Sequence, residues 1–431
     1  MPSPATVEIQ WAGDAMQSTV EVSALTHAAT LIGPAISPNP DMFEAVIVSP
    51  VPPGADGWNR WHVEGLVPGT AYYWQLLDLP DEGDPQPVGS VAAFATLKAA
   101  RVPCTVRRAV GSCTCNGHQG EAANPAAFED VLRWAPDRIM HLGDMGYPTH
   151  LTRLTDSHVQ SMTHQLQAPG MGELLSRFCL DYIHSDHDTN SGNNLPNYND
   201  PVTEANIRAW QHMVPFRQTD VNTPPHGLWR SEVEGRIRFV KLDYRSIERT
   251  DSIGKDPLDP RSSMLGATQL AWLQDELKTA AVAGELAVLM TDSSWNGRCP
   301  DPVTPTYSDK MPAYQFERDL ISDFAAQLGL DMIIVHGDTH LLLHDEGHEK
   351  NGFVVVGGSP FDQRAQGHFQ DSYDWVYPPG QPELGGTLAV QQYQRLTWVD
   401  DGTAITFTAE ARSCTGGEPR TVHTLTRTYT P

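Results

Sequence analysis

One phrase recurs through the chain from about residue 104 onward. A short run of β-branched and aliphatic residues ends abruptly in Gly, Asp, Ser or His, as in RIMHLGD (138–144), FCLDYIH (178–184), RIRFVKLD (236–243), LAVLMTD (286–292), DMIIVHGD (331–338) and FVVVGGS (353–359). CTVRRAVGSC (104–113) has the same form. Continuous apolar runs of this length are what strands covered on both faces require. Helical patterns fall between them: NPAAFEDVLRWAP, with Phe128, Val131 and Leu132 at helical spacing and Asn124 as the candidate cap, LGATQLAWLQDELKTA, with Leu270, Leu273 and Leu277 on its apolar stripe, and YQFERDLISDFAAQLG, with Phe316, Leu320 and Phe324. Strands alternating with helices predict a layered α/β domain.

The first 98 residues follow another grammar. VEIQW, TVEVSAL, FEAVIV, RWHVEGL, AYYWQLL and VAAFATL are short strand candidates separated by turn signals, with no amphipathic helix among them. A small β-sandwich is expected over 1–98. Its segment LVPGTAY (66–72) resembles the fibronectin type III pattern, in which a turn precedes a tyrosine that hydrogen-bonds back to the chain and stabilises the corner. KAARVP then reads as a linker, and the second domain is expected over 101–431. Within it, 148–230 is rich in Asn, His and Pro with only short apolar patterns, and reads as a loop-rich insertion across the mouth of the sheet. The tail after Tyr393 returns to alternating strands around an Asp-Gly turn.

Charge narrows the partners. The chain's 431 residues carry 29 Lys and Arg against 53 Asp and Glu, a net charge of −24, which argues against binding duplex nucleic acid or an acidic membrane. No run of about 18 apolar residues is present, so no membrane span is expected. The start lacks the basic and apolar regions of an export signal, which predicts a cytoplasmic protein, or an exported one if a leader has been removed. Six cysteines are too few for a disulfide scaffold. Cys115, Cys179, Cys299 and Cys414 read as packing or incidental, and a Cys104–Cys115 bridge would form only after export.

The chemistry gathers at the strand ends. Cys113, Asp144, the Asp186-His187-Asp188 group, Asp292, and Asp338 with His340 each follow a buried run. In open α/β sheets the carboxyl ends of strands line the ligand crevice, so these residues can converge. Singly, each has a bland reading as a turn or cap residue; together they read as one site. Asp144, Asp186 and Asp338 would repel one another and any anionic substrate unless cations neutralised them, so metals are implied. A thiolate from Cys113 and a phenolate from Tyr147 suit a Lewis-acidic ion such as ferric iron. Oxygen ligands suit a harder second ion such as Ca2+, Mn2+ or Mg2+.

GSC (111–113), HLGDMGY (141–147), SDHD (185–188), LDYRS (242–246), LGATQLAWL (265–273) and HGDTH (336–340) together resemble the PhoD-type alkaline phosphatase/phosphodiesterase family, a branch of the calcineurin-like metallophosphoesterases. Order and spacing agree over roughly residues 105–345, and the leading sandwich is similar to that family's amino-terminal domain. The resemblance implies two β-sheets flanked by helices and a binuclear metal site, Fe3+ with Ca2+ (or Mn2+, Mg2+ or Zn2+). Cys113 would ligate the iron in place of the superfamily's Asp-x-His pair. Asp144 would bridge the metals, Tyr147 and Asp338 would lie on the iron side, and Asp186 would face the second metal, with Asn193, or alternatively Asn190 or Asn194, completing its shell. His187 would contact phosphate and act as general acid, and His340 would close the site as ligand or phosphate contact. Arg245 fits the family pattern near the phosphate, or else anchors Asp243.

TDSSWNG (291–297) stands where the wider superfamily has a metal-binding histidine, and offers Asp292 and Trp295 instead. His336, His340, His344 and His348 are spaced by four, but the strand DMIIV and the Gly337-Asp338 turn leave only His340 for the site. The expected function is hydrolysis of small phosphate mono- or diesters by a metal-activated water. The alternatives are a binding or adhesion protein with a structural metal, and a metal hydrolase of non-phosphorus esters.

Overall fold

The computed structural model describes residues 5–27, 30–114, 125–146, 155–189, 201–218, 227–245, 248–296, 309–347, 352–358, 360–364, 389–415 and 418–431. The first seven strands form two sheets. β1 (Thr6–Gly13), β2 (Val20–His27) and β5 (Trp58–Val63) make one, and β3 (Leu31–Ser37), β4 (Val46–Ile47), β6 (Ala71–Leu79) and β7 (Gln86–Ala95) the other, in the order β4-β3-β6-β7. Val22, Ala24, Trp61 and Val63 meet Ile32, Ile36, Trp74 and Phe94 between them in one buried cluster. The expected corner is present: the Val67 amide donates to the Tyr72 hydroxyl at 2.9 Å. Two strand readings needed correction. β3, LIGPAIS, was missed because Gly33 and Pro34 break its alternation. FEAVIV shrinks to the two exposed residues of β4, with Phe43 63% exposed.

Two larger sheets follow. One runs β10 (Leu180–Tyr182), β9 (Arg138–His141), β8 (Thr105–Thr114), β19 (Gln392–Asp400), β20 (Ile405–Ser413), β21 (Arg420–Tyr429), with β17 (Pro360–Arg364) beside β8 and β18 (Ala389–Val390) beside β17. The other runs β11 (Arg230–Glu234), β12 (Ile237–Lys241), β13 (Leu286–Thr291), β14 (Met332–His336), β16 (Val354–Gly357), β15 (Leu343–Asp345). β8-β9-β10 and β12-β13-β14-β16 are parallel, so their carboxyl ends point the same way within each sheet. The period of two decides the layers. On β13, Leu286, Val288 and Met290 face the other sheet, meeting Val110, Met140 and Leu396. Ala287 and Leu289 face the helices. Each fully buried side chain of this size contributes roughly 1.5–3 kcal/mol.

Helices cover the outer faces. α6 (Gly266–Ala283) and α7 (Gln315–Gln327) pack on the six-stranded sheet through Leu273, Leu277, Ile321 and Ala325. α1 (Ala126–Trp134), α2 (Thr155–Leu166), α3 (Pro169–Arg177) and α5 (Pro201–Met213) cover the eight-stranded sheet, and α4 (Asp186–Thr189) is a single turn after β10. Asn124 lies outside the described residues, and the cap position of α1 is taken by Pro125, in extended conformation with no side-chain cap bond. The described part of 148–230 is a helical bracket rather than loops. Met162, Leu166, Leu174, Trp210 and Met213 join Trp11 and Trp58 of the sandwich and Ala109 and Ile139 of the sheet in one cluster. A few Met and Trp side chains reaching across a gap give little periodicity in sequence.

Among the described residues no helix is long and apolar enough to cross a membrane. Cys104 is a free thiol, Cys179 and Cys414 are buried and free, and Cys115, Cys299 and His348 lie outside the described residues.

Candidate metal centre

The site is built from backbone first. Gly337 cannot carry a side chain, because a Cβ there would stand 2.4 Å from the Leu142 carbonyl oxygen and 3.0 Å from that of Asp292, and this close approach brings the ends of β9, β13 and β14 together. Gly143, at φ 98°, permits the turn before Asp144, where a Cβ would lie 2.2 Å from that of Ser185. The Cys113 amide donates to the Gly143 carbonyl at 3.0 Å and the Thr114 amide to that of Asp144 at 2.9 Å. The loops after β8 and β9 are thereby laced together.

Cys113, Asp144, Asp338 and His340 all have left-handed φ values, 53°, 61°, 61° and 53°. A non-glycine residue there is held against a cost of order 1–3 kcal/mol, and such positions cluster where geometry serves a site.

Some of the expected side chains lie together. Ligand atoms of Cys113, Asp144 and His340 lie within 4.8 Å of one another, and so do those of Asp144, Asp186 and His187, making Asp144 common to both groups. The Cys113 thiol donates to Asp144 Oδ2 at 3.6 Å, and the His187 amide to Asp144 Oδ1 at 3.2 Å. His187 is the most open member, its side chain 34% exposed, with Nε2 at 3.9 Å from Asp186 Oδ2. Asp188 faces inward: it accepts from the Asp144 amide at 3.2 Å, the Ser185 amide at 2.9 Å and the Tyr182 hydroxyl, and so sets the loop that presents Asp144 and Asp186. Tyr147, Asn190, Asn193 and Asn194 lie outside the described residues.

Asp338 belongs to neither group; its Oδ2 accepts from the Lys310 ammonium. Arg245 is fully buried, its guanidinium bonded to Asp292 at 2.8 and 2.7 Å and to Asp309 at 3.1 and 3.2 Å. Its amide also donates to Asp243 at 2.9 Å. Oδ2 of Asp292 is thus occupied by Arg245, while its buried Oδ1 has no hydrogen-bond partner among the described residues. Lys310 and Asp309 were missed, since SDKMP carries no periodicity and no motif. His336 is a buried core histidine, and His344 bonds Gln394 and His423.

Electrostatics make this a site that wants cations. Two carboxylates at about 5 Å repel by roughly 3 kcal/mol even at an effective dielectric of about 20. Burial, reinforced by Asp186, Asp188 and Asp338, pushes the Asp144 carboxyl well above the usual range. Burial lifts Asp188 to about 7 and Asp292 to about 6, although Arg245 opposes it at Asp292. Burial would raise Asp186 too, but His187, Arg245 and Lys310 outweigh it and hold it low. Thiolate, carboxylate and imidazole donors in this arrangement fit bound metal. A third acidic group, Asp14, Asp181 and Glu232, already holds the ammonium of Lys241, at 2.8, 3.5 and 2.9 Å.

A pH dependence follows. A carboxyl with a raised folded pKa stabilises fully below the unfolded value near 4, and that contribution is lost as pH rises through the folded value. Buried His141, His336 and His344, pushed down by burial to about 3, 4 and 4, act oppositely but are neutral in both states above about pH 7.5. Metal-free protein should therefore lose melting temperature from about pH 7.5 to 8.5 through Asp188, with Asp144 acting in the same direction. Metal-loaded protein should show a flatter profile by differential scanning fluorimetry, and parallel profiles would contradict this account.

Residues 180–355 match the family model described as PhoD-like phosphatase. The solved structure of PhoD aligns over 100% of this chain and 92% of its own, with a TM-score of 0.77 at 16% identity. Purple acid phosphatase PPD1 from yellow lupin (Lupinus luteus) seeds aligns over 99% of this chain and 75% of its own, with a TM-score of 0.63 at 13% identity. No curated protein matches the chain. The match to PhoD-like phosphatases falls on the stretch that carries Asp186, His187, Arg245 and Asp338, inside a fold shared with these two phosphatases, and with side-chain groups able to hold metal ions beside it the chain reads as a phosphoric ester hydrolase.

Proposed function

We propose that the chain hydrolyses small phosphate mono- or diesters at a binuclear metal site. The observation that carries this reading is the sharing of Asp144 between two ligand groups whose backbones are held left-handed at Cys113, Asp144 and His340. Cys113, Asp144, Asp338 and His340, with Tyr147, would hold one cation; Asp144 and Asp186, with Asn193, would hold the other. The thiolate and phenolate favour Fe3+, and the oxygen set favours Ca2+. Cations held by these residues would supply positive charge for the phosphoryl oxygens and lower the pKa of a water. Asp188 fixes the loop, and Arg245 holds Asp292 and Asp309 beside the cluster. His187, open to the mouth, donates a proton to the leaving alkoxide. Residues 1–98 act as a separate sandwich and 101–431 as the catalytic domain, with 148–230 selecting the ester.

His187→Ala should retain its metals by elemental analysis while losing about 10²–10⁴ in turnover of alkyl phosphates. The loss should be smaller for p-nitrophenyl esters, whose leaving group needs no proton. Equal losses on both substrates would exclude His187 as the acid. Iron with calcium in the purified protein supports the ligand sets, and zinc alone would contradict them.

A further inference from the structure

The charges beside the candidate metal centre form an alternating row. Asp292 bonds Arg245, Arg245 bonds Asp309 Oδ2, Asp309 Oδ1 lies 3.3 Å from the Lys310 ammonium, and Lys310 donates to Asp338 Oδ2. Three carboxylates and two cations leave the row one negative charge, and its open end is a proposed metal ligand. Lys310 is only 1% exposed, so it is not a surface lysine resting on the site. Its backbone is pinned on both sides: the Met311 amide donates to the Ser294 carbonyl at 3.1 Å, and the Ser293 hydroxyl to the Asp309 carbonyl at 2.9 Å. The main chain of Asp338 is fixed separately by its left-handed turn.

We propose that Lys310 is a positioning residue for the metal centre, holding Oδ2 of Asp338 so that this carboxylate offers only Oδ1 to a cation. The inference rests on the binuclear reading above. A buried ammonium is suited to this, because it carries three donors and a charge that offsets the crowded carboxylates without competing as a ligand. Groups that orient ligands typically alter metal affinity or activity by about 10–100-fold when removed.

The test compares Lys310→Met and Lys310→Arg with the wild-type holoenzyme, with folding checked by circular dichroism and Lys310→Gln substituted if the Met variant does not fold. Release of metal to a chelator is followed by elemental analysis, alongside kcat and KM on bis-p-nitrophenyl phosphate. Lys310→Met or Lys310→Gln should release one metal equivalent about 10–100-fold faster and lose kcat in proportion, with KM within about twofold, and Lys310→Arg should restore most of both. Metal release at the wild-type rate in the neutral variants overturns the proposal. A raised KM with metals retained also overturns it, because Lys310 would then contact the substrate. A wild-type protein that binds no second metal would instead refute the binuclear reading.

Discussion

Asp144→Asn should abolish turnover, by about 10³-fold or more in kcat, and at the same time make the metal-free protein harder to unfold at pH 8. Both effects come from one carboxylate. Asn keeps the shape of Asp, tolerates the left-handed φ of 61° and still offers an oxygen to the His187 amide. What it removes is a charge that Asp186, Asp188 and Asp338 all oppose. With like pairs costing roughly 3 kcal/mol each if fully ionised, loss of this charge should give a gain of about 1–3 kcal/mol in metal-free stability. Loss of activity alone would be ordinary for any damaged site; the opposite movement of stability is the informative half. A metal-free variant less stable than wild type at pH 8, measured by chemical denaturation, would mean that Asp144 serves the fold rather than a cation.

The metal-ligand candidates were legible because buried strands announce themselves by composition, and the polar residue that ends each one has few other reasons to be there. Cys113, Asp144, Asp186 and Asp338 follow that rule. Among the four histidines spaced by four, local grammar also worked: the strand before His336 and the turn at Asp338 ruled out a helical stripe, and His344 is indeed engaged elsewhere with Gln394 and His423. The corner at Tyr72 needed only a turn and one hydroxyl.

What failed was anything decided by a partner distant in sequence. The periodicity of α7 favours Phe316 and Leu320 as its buried stripe, yet both are 39% exposed. The helix is rotated by Glu317, only 2% exposed, whose carboxylate accepts from the Met264 amide at 2.7 Å, the Leu265 amide at 3.2 Å and the Ser263 hydroxyl just before α6. A polar anchor outweighs two apolar contacts because unsatisfied amides there would cost about 1–3 kcal/mol each. Lys310 and Arg245 follow the same logic. Each is a charged residue whose place is set by carboxylates from other strand ends, so neither its burial nor its partners can be read locally.

Lys241→Met should cost about 3–5 kcal/mol of stability, the largest structural effect expected away from the metal centre. The ammonium is 1% exposed and bonds Asp14 Oδ1 at 2.8 Å and Glu232 Oε2 at 2.9 Å, with Asp181 at 3.5 Å. Around it, Arg230 pairs with Asp14, Arg138 with Asp181 at 3.5 Å, and Arg108 with Glu234 at 2.5 Å. Four acids and four bases therefore balance in a closed volume between the sandwich, the edge strand β10 and the hairpin β11–β12. Methionine matches the length of lysine but strands one negative charge among three carboxylates. The double variant Asp14→Asn with Lys241→Met should recover part of the loss, since the stranded charge and not the missing contact carries most of the cost. Recovery would also distinguish a dry network from a hydrated one, in which either single change would shift the denaturation midpoint little. The consequence reaches the metal centre, because Arg230 donates to the Tyr182 carbonyl at 2.8 Å while the Tyr182 hydroxyl meets Asp188 and the Met145 amide. Disturbing Lys241 should therefore loosen the turn that presents Asp144, and metal release from Lys241→Met should quicken alongside its loss of stability.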